Sequence, residues 1–479
     1  MIRDHTYRAD IDGLRAVAVV LVILFHASSE LLPGGFIGVD VFFVISGYLI
    51  TSIILREIRA GSFTLSGFYA RLCRRILPAL VVVLAATWAI GRVALTEADF
   101  QMVGKHILGG STFTSNILLW RESGYFDIAA IRKPLLHLWS LGVEEQFYLV
   151  WPPLAMLAVF RGWRPLLLSS TILAASVALA AGLPPAQGDF TFFFLPTRMW
   201  ELLAGAVLVQ AEQARDDRGS APIGSRAGRE VMAIVGALLI GIVCFFDPGT
   251  GRGRIAWLVA PVAGAALVIA ARDAWINRRL LSNPGVVLIG LISYPLYLWH
   301  WPLLSIVTLL AGQTPMQQLQ RLKFGAVALA FLLAWLTWRL VERPVRRVAT
   351  QTPDRPRRNS QVLAVSAALL VVMSVVGARA WDRGRARDLV AVALDEVLLD
   401  GAALFPGTDY HRVSRADSVV LLIGDSHSNH LVPGLVPEAR AHGFGVSHVG
   451  WAGCLGVPLT ARLWGGPDLF EKCESTVVA

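Results

Sequence analysis

Apolar residues dominate the first 380 positions in long runs, interrupted by short polar connections. A helix that crosses a bilayer needs about 20 mostly apolar residues. Eleven runs approach that length, roughly 13–30, 36–55, 76–95, 138–160, 165–183, 192–210, 230–246, 255–271, 285–309, 322–341 and 361–380. No small-residue cleavage site follows the first run, so it is read as a membrane helix and not as a signal peptide. The stretch 104–120 is amphipathic and is expected to lie on the membrane interface or to re-enter. The pattern predicts an all-α multi-span membrane helical bundle of about 10–11 transmembrane helices.

After residue 380 the pattern changes. A polar, Arg/Asp-rich linker is expected over 381–416. Ser418-Val419-Val420-Leu421-Leu422-Ile423 reads as a buried strand, closed by Gly424-Asp425-Ser426-His427. A strand, a tight Gly turn and a following helix open an α/β domain. About 60 residues follow that strand, fewer than a doubly wound sheet needs, so this domain is expected to be cut short. The expected plan is a membrane domain over 1–380, a linker over 381–416 and an incomplete extracytoplasmic domain over 417–479.

Composition agrees with a membrane bundle. The chain is 55% hydrophobic and only 16% charged, against ~25% charged in ordinary soluble domains. That excludes one large soluble globule, a disordered chain and a collagen-like one. A net charge of +9 raises nucleic acid as a partner, but the arginines sit between apolar runs and form no basic domain. Nucleic acid is therefore not expected, and membrane lipid is. Arginine placement sets orientation. The connections 56–75, 211–229, 272–279 and 342–360 carry arginines, whereas 31–35, 184–191 and 310–320 carry no Lys or Arg. The N-terminus is expected in the cytoplasm and the C-terminal domain outside. Arg383, Arg385 and Arg387 run against this, and long translocated domains obey the charge rule weakly. Four cysteines make no disulfide scaffold. Cys454 and Cys473 are candidates to pair in an oxidising compartment, and Cys73 and Cys244 are expected to be unpaired.

Arg15 and His26 share one face of the first helix to within ~20° and are separated by ~16 Å along it. Ionisable groups in a membrane are costly and usually face an interior site. Taken singly, Arg15 reads as an interfacial anchor and His26 as a headgroup histidine. The shared face and the further charges Asp40, Glu144, Glu145, Arg198, Glu201 and His300 favour an interior site. Adjacent Glu144 and Glu145 point ~100° apart, so one can face the interior and the other a neighbouring helix. Arg198 and Glu201 have the i,i+3 spacing of a structural pair. For His300, in Tyr297-Leu298-Trp299-His300-Trp301-Pro302, an aromatic-belt position is the alternative. Arg71, Arg74 and Arg75 serve either as positive-inside anchors or as a phosphate site, and both readings stay open. Ser426 stands at a candidate nucleophile turn, where backbone N–H groups can stabilise an oxyanion. Its base, a His with a supporting Asp, is expected beyond residue 479, and a plain turn is the alternative. No metal site is expected.

These residues resemble acyltransferase family 3 of integral-membrane O-acyltransferases over nearly the whole chain. The likeness rests on Asp12-Gly13-Leu14-Arg15 with His26, and on Gly35-Phe36-Ile37-Gly38-Val39-Asp40-Val41-Phe42-Phe43-Val44-Ile45-Ser46-Gly47-Tyr48. It rests also on Phe68-Tyr69-Ala70-Arg71 with Arg74-Arg75-Ile76-Leu77-Pro78, on the stretch from Trp139 to Tyr148, and on Leu195-Pro196-Thr197-Arg198 with Trp200-Glu201. Leu72 departs from the family pattern where a basic residue is expected, and Pro295 where a small polar one is. The tail is similar to the start of a fused SGNH-hydrolase-like α/β domain, with Gly424-Asp425-Ser426 as its first block and without the later blocks.

The resemblance implies an O-acetyltransferase of a bacterial cytoplasmic membrane. Its donor would be acyl-CoA, most simply acetyl-CoA, with Arg71, Arg74 and Arg75 on the phosphates. It implies His26 as general base or transient acyl carrier, positioned by Arg15 and by Glu144 or Glu145. Ser426 would pass the acyl group to a cell-surface glycan, of lipopolysaccharide or peptidoglycan. A transporter with a non-catalytic outer domain is the second reading, because buried charges also suit a substrate path, although no inverted repeat is visible. A third reading makes the tail an esterase, and its missing base argues against that.

Overall fold

The computed structural model describes residues 7–123, 130–184, 188–219, 223–246, 253–312, 314–345, 356–398, 419–424 and 445–450. The chain divides into two compact units, Met1–Gly384 and Arg385–Ala479.

The first unit is a helical bundle. Its opening helices are α1 (Ala9–Ala27), α2 (Gly38–Arg59) and α3 (Leu65–Ala94). Thr64 starts α3 by accepting a hydrogen bond from the Gly67 N–H, which satisfies one of the free donors of the first turn. The stretch expected at the interface forms two short helices, α4 (Glu97–Ser111) and α5 (Ser115–Glu122). They turn at Phe113, whose φ is +55°. Gln146 donates to the Phe113 carbonyl at 3.0 Å and fastens this turn to α6 (Leu138–Phe160). Then come α7 (Pro165–Gly182), α8 (Gly188–Phe193), α9 (Leu195–Asp217), α10 (Arg226–Val243) and α11 (Gly253–Ala271).

The run 285–309, read as one span, is two helices, α12 (Pro284–Leu291) and α13 (Ser293–Ala311), bent by 64°. Pro295 has no N–H to offer the Leu291 carbonyl, so the helical ladder stops there. Gly290 also lets α12 press on α1, since a methyl at that position would overlap the Asp12 carbonyl. The bundle continues through α14 (Met316–Thr337) to α15 (Pro356–Leu398). The last helix runs on past residue 380, where the sequence suggests a linker.

Among the described residues, six helices are long and apolar enough to cross a membrane, and seven if α12 and α13 form one bent span. The remaining expected spans include α1, which holds Asp10, Asp12 and Arg15, and α6, which holds Glu144 and Glu145. Ionisable residues lower their mean hydropathy. Two of the helices that carry candidate chemistry, α1 and α6, are thus among the weaker span signals.

The interior is organised on the seam between α2 and α9. A methyl at Gly47 would overlap the Leu202 carbonyl, and one at Gly205 the Val44 carbonyl. The two backbones therefore touch. Beside this contact, Arg198 is 4% exposed and bonds Asp40 at 2.9 Å and Glu201 at 2.9 Å. The rings of Phe43, Trp139 and Phe192 cover its guanidinium at 5.5–5.6 Å. At the far end of the bundle, Glu122 of α5 bonds Lys105 at 2.7 Å, Lys133 at 3.1 Å and His106 at 3.2 Å. Burial alone would raise this carboxyl. The hydrogen bonds from His106 and Lys105 hold it well below the usual carboxylate range.

In the second unit, β1 (Val419–Gly424) and β2 (Gly445–Gly450) pair in parallel, with Val419 opposite Gly445 and Gly424 opposite Gly450. Parallel neighbours need a long crossover connection. Ser426, Cys454 and Cys473 lie outside the described residues.

Arg198→Met should destabilise the bundle by about 3–5 kcal/mol, because it leaves two buried carboxylates without their shared cation. Thermal unfolding in detergent reads this loss. Glu122→Gln should lower the melting temperature at neutral pH. Because the folded carboxyl titrates below the unfolded one, its contribution is present above the unfolded value and is lost as the pH falls through the folded one. The gap between wild type and Glu122→Gln should therefore shrink on acidification.

Candidate functional site

The end of the bundle where α1 begins is rich in arginine. A cavity there is lined by Arg8, Arg15, Arg71, Arg74 and Arg75, with Asp12 as its one carboxylate among the described residues, together with Tyr7, Ile11, Leu49, Ile53 and Leu291. Arg15 is held by Asp12 at 3.1 Å, and Tyr7 donates to the other Asp12 oxygen at 2.6 Å. Burial and this bond push the Tyr7 phenol up to about 12, so it stays a neutral donor. Arg71 pairs with Glu57 at 2.6 Å. Arg8 is fixed by Asp10 at 2.7 Å and by the Ile269 carbonyl at 2.8 Å. Such a concentration of guanidinium groups suits a ligand with several anionic oxygens.

A second cavity, of about 80 Å³, lies deeper. Arg15, Leu49 and Arg75 line both cavities, so the two share a wall. Its other walls are largely apolar and come from α2, α3, α6 and α13. Glu144 lines it and accepts hydrogen bonds from Ser46 and Tyr148. Glu145 does not line it. It lies one residue on, pointing away, with Oε1 buried and without a hydrogen bond. The inner wall includes Ser140 and Tyr297, which share a 2.7 Å hydrogen bond.

His26 stands beyond Tyr297, about 16 Å along α1 from Arg15. Its Nδ1 is 2.9 Å from His300 Nε2, and the two rings stack with 14° between their planes. The Trp301 ring packs edge-on against His26 at 4.5 Å. His137 meets His300 at 5.6 Å between ring centroids and is 2% exposed. Among the described residues no group of three or more His, Cys, Asp or Glu is placed to hold a metal ion.

The structure thus brings Arg15, Arg71, Arg74 and Arg75 to one cavity and Arg15, Arg75 and Glu144 to the next. His26 is placed apart from them, and its hydrogen-bond partner is His300. Arg198 pairs with Glu201 as its spacing predicts and also with Asp40, 158 residues earlier. His300 is not a belt residue: it is fully buried. The sequence reading passed over His137, Tyr148 and Ser46. Pro302 frees the Leu298 carbonyl and not the Tyr297 carbonyl that holds His300, so no local signal marked that bond.

A family model described as an acyltransferase domain matches residues 8–339. Over 362 residues the chain is 31% identical to the peptidoglycan O-acetyltransferase OatA of Listeria monocytogenes, covering 72% of this chain and 56% of that one. A putative O-acetyltransferase of Staphylococcus aureus is 31% identical over 71% of this chain and 58% of its own. A putative membrane-bound transacylase, BcsY of Komagataeibacter xylinus, is 32% identical over 76% and 89%. The chain spans a little over half the length of the first two relatives. No solved structure matches it significantly. The match over residues 8–339 takes in both cavities and the His26–His300 pair, and the chain belongs to acyltransferase family 3.

Proposed function

We propose that this chain moves an acyl group, acetyl in the simplest case, from cytoplasmic acyl-CoA to hydroxyls of a cell-surface glycan. The observation that carries the reading is the five-arginine cavity sharing a wall with a deeper, largely apolar one. A donor with several phosphates and a long thioester arm has matching chemistry. Its phosphates meet Arg71, Arg74 and Arg75, and its arm follows the apolar walls past Glu144 towards Tyr297. The arginine-bearing connections support a cytoplasmic place for this end, with the His26 end facing outward, in the cytoplasmic membrane of a bacterium.

His26 then works near the outer side, as general base or transient acyl carrier. Arg15 orients the donor in both cavities. Glu144, held by Ser46 and Tyr148, orders the inner wall, while Glu145 serves packing. The acceptor is a glycan hydroxyl, of peptidoglycan or lipopolysaccharide; the names of the O-acetyltransferase relatives support this class. Ser426 receives the acyl group outside and hands it on. In support, β1 ends at Gly424, two residues before Ser426.

Two measurements test this reading. His26→Ala should abolish O-acetylation of the host glycan at normal protein levels, and unchanged acetylation would sink the assignment. Arg75→Ala should raise the KM for acetyl-CoA roughly tenfold or more, the size of one lost charged hydrogen bond, as read by thiol release in inside-out vesicles. A transporter would transfer no labelled acetyl to glycan in the same vesicles.

A further inference from the structure

His300 has a defined protonation pattern. Its Nδ1 lies 2.6 Å from the Tyr297 carbonyl oxygen. A carbonyl oxygen only accepts, so Nδ1 must carry a proton. In the neutral ring Nε2 then holds a lone pair. Nε2 faces His26 Nδ1 at 2.9 Å, and one of two nitrogens at that distance must donate. The donor is therefore His26 Nδ1–H, and the lone pair of neutral His26 is on Nε2.

The surroundings hold this geometry. His300 is fully buried. Trp301 donates from its indole to the Lys133 carbonyl at 2.8 Å and fixes the α13 turn that carries His300. The Tyr297 hydroxyl bonds the His137 carbonyl at 3.0 Å and Ser140 at 2.7 Å. The titratable groups facing the pair are His137 and Tyr297.

We infer that His300 is a positioning residue that sets the reactive tautomer of His26, leaving His26 Nε2 as the base or nucleophile and receiving its Nδ1 hydrogen bond. This rests on the proposed role of His26 and names the group that makes it competent. When Nε2 takes a proton from the acceptor hydroxyl, or takes the acyl group as the thioester C–S bond breaks and the CoA thiolate leaves, the ring becomes cationic. The Nδ1 proton can then shift to His300 Nε2, which spreads one positive charge over two rings and returns when Nε2 is freed. In a Ser-His-Asp triad a carboxylate sets the tautomer in the same way, although it does not take the proton. Here a neutral imidazole sets it, at a depth where a second unpaired charge is costly.

The test compares His300→Phe, which keeps a ring and loses the acceptor, with His300→Gln, whose amide oxygen can accept from His26 Nδ1. Full-length protein in inside-out vesicles is supplied with acetyl-CoA, and thiol release and glycan labelling are followed. His300→Phe should lower kcat roughly 100-fold or more, the scale of a lost acid–base contribution, with the KM for acetyl-CoA unchanged. His300→Gln should recover activity to within roughly tenfold of wild type. A packing role would instead leave the two variants equally impaired. His300→Gln that is present and folded but as inactive as His26→Ala overturns the inference, whatever the fate of His300→Phe. His300→Phe with wild-type kcat overturns it too. If His26→Ala itself retains full activity, the functional reading falls and this inference with it; if only the His300 results fail, the reading of His26 stands.

Discussion

A guanidinium clamped between two carboxylates inside an apolar bundle is the interaction on which the rest of the membrane unit depends. Arg198 joins Asp40 on α2 to Glu201 on its own helix, α9. Charges at this depth persist only when paired, so the helices have one register that satisfies all three groups. Gly47 and Gly205 allow that register, since each stands where a side chain would strike the partner backbone. With α2 fixed on α9, Ser46 points to Glu144 and Thr51 receives the Trp151 indole at 2.8 Å. The α2 wall of the inner cavity is a consequence of this lock.

The ionisable groups left over sit in separate places with different physics. Guanidinium groups gather where α1 begins, where water can solvate them in the absence of a ligand. Glu144 lies deeper and is held by two hydroxyl donors. At the opposite end His26 meets His300, whose Nδ1 donates to the Tyr297 carbonyl.

Much of the helical architecture was legible in the chain. Runs of apolar residues gave the helices, because a bilayer imposes a length on any segment that crosses it. The i,i+3 spacing gave the Arg198–Glu201 pair. The bend at Ile292 was not expected, although Pro295 carried the signal: an absent N–H matters only at the carbonyl it would have served. Asp40 as the second partner of Arg198 was invisible, since no local periodicity links positions 158 apart. His300 was visible as one of the further ionisable residues, but the belt alternative stayed open, because burial is not a property of its local sequence.

The sequence by itself determined a multi-helix membrane chain, its arginine-bearing connections, the shared face of Arg15 and His26, and its family resemblance. These follow from composition and from spacing along single helices, which 3.6 residues per turn fixes without any neighbour. Only the tertiary structure decided that Glu144 and not Glu145 lines the inner cavity, that Arg15 belongs to two cavities, and that His26 meets His300. Such facts depend on how helices rotate and pack against one another, and that is set by contacts such as Gly47 on Leu202 and Gly290 on Asp12, which join residues far apart in the chain.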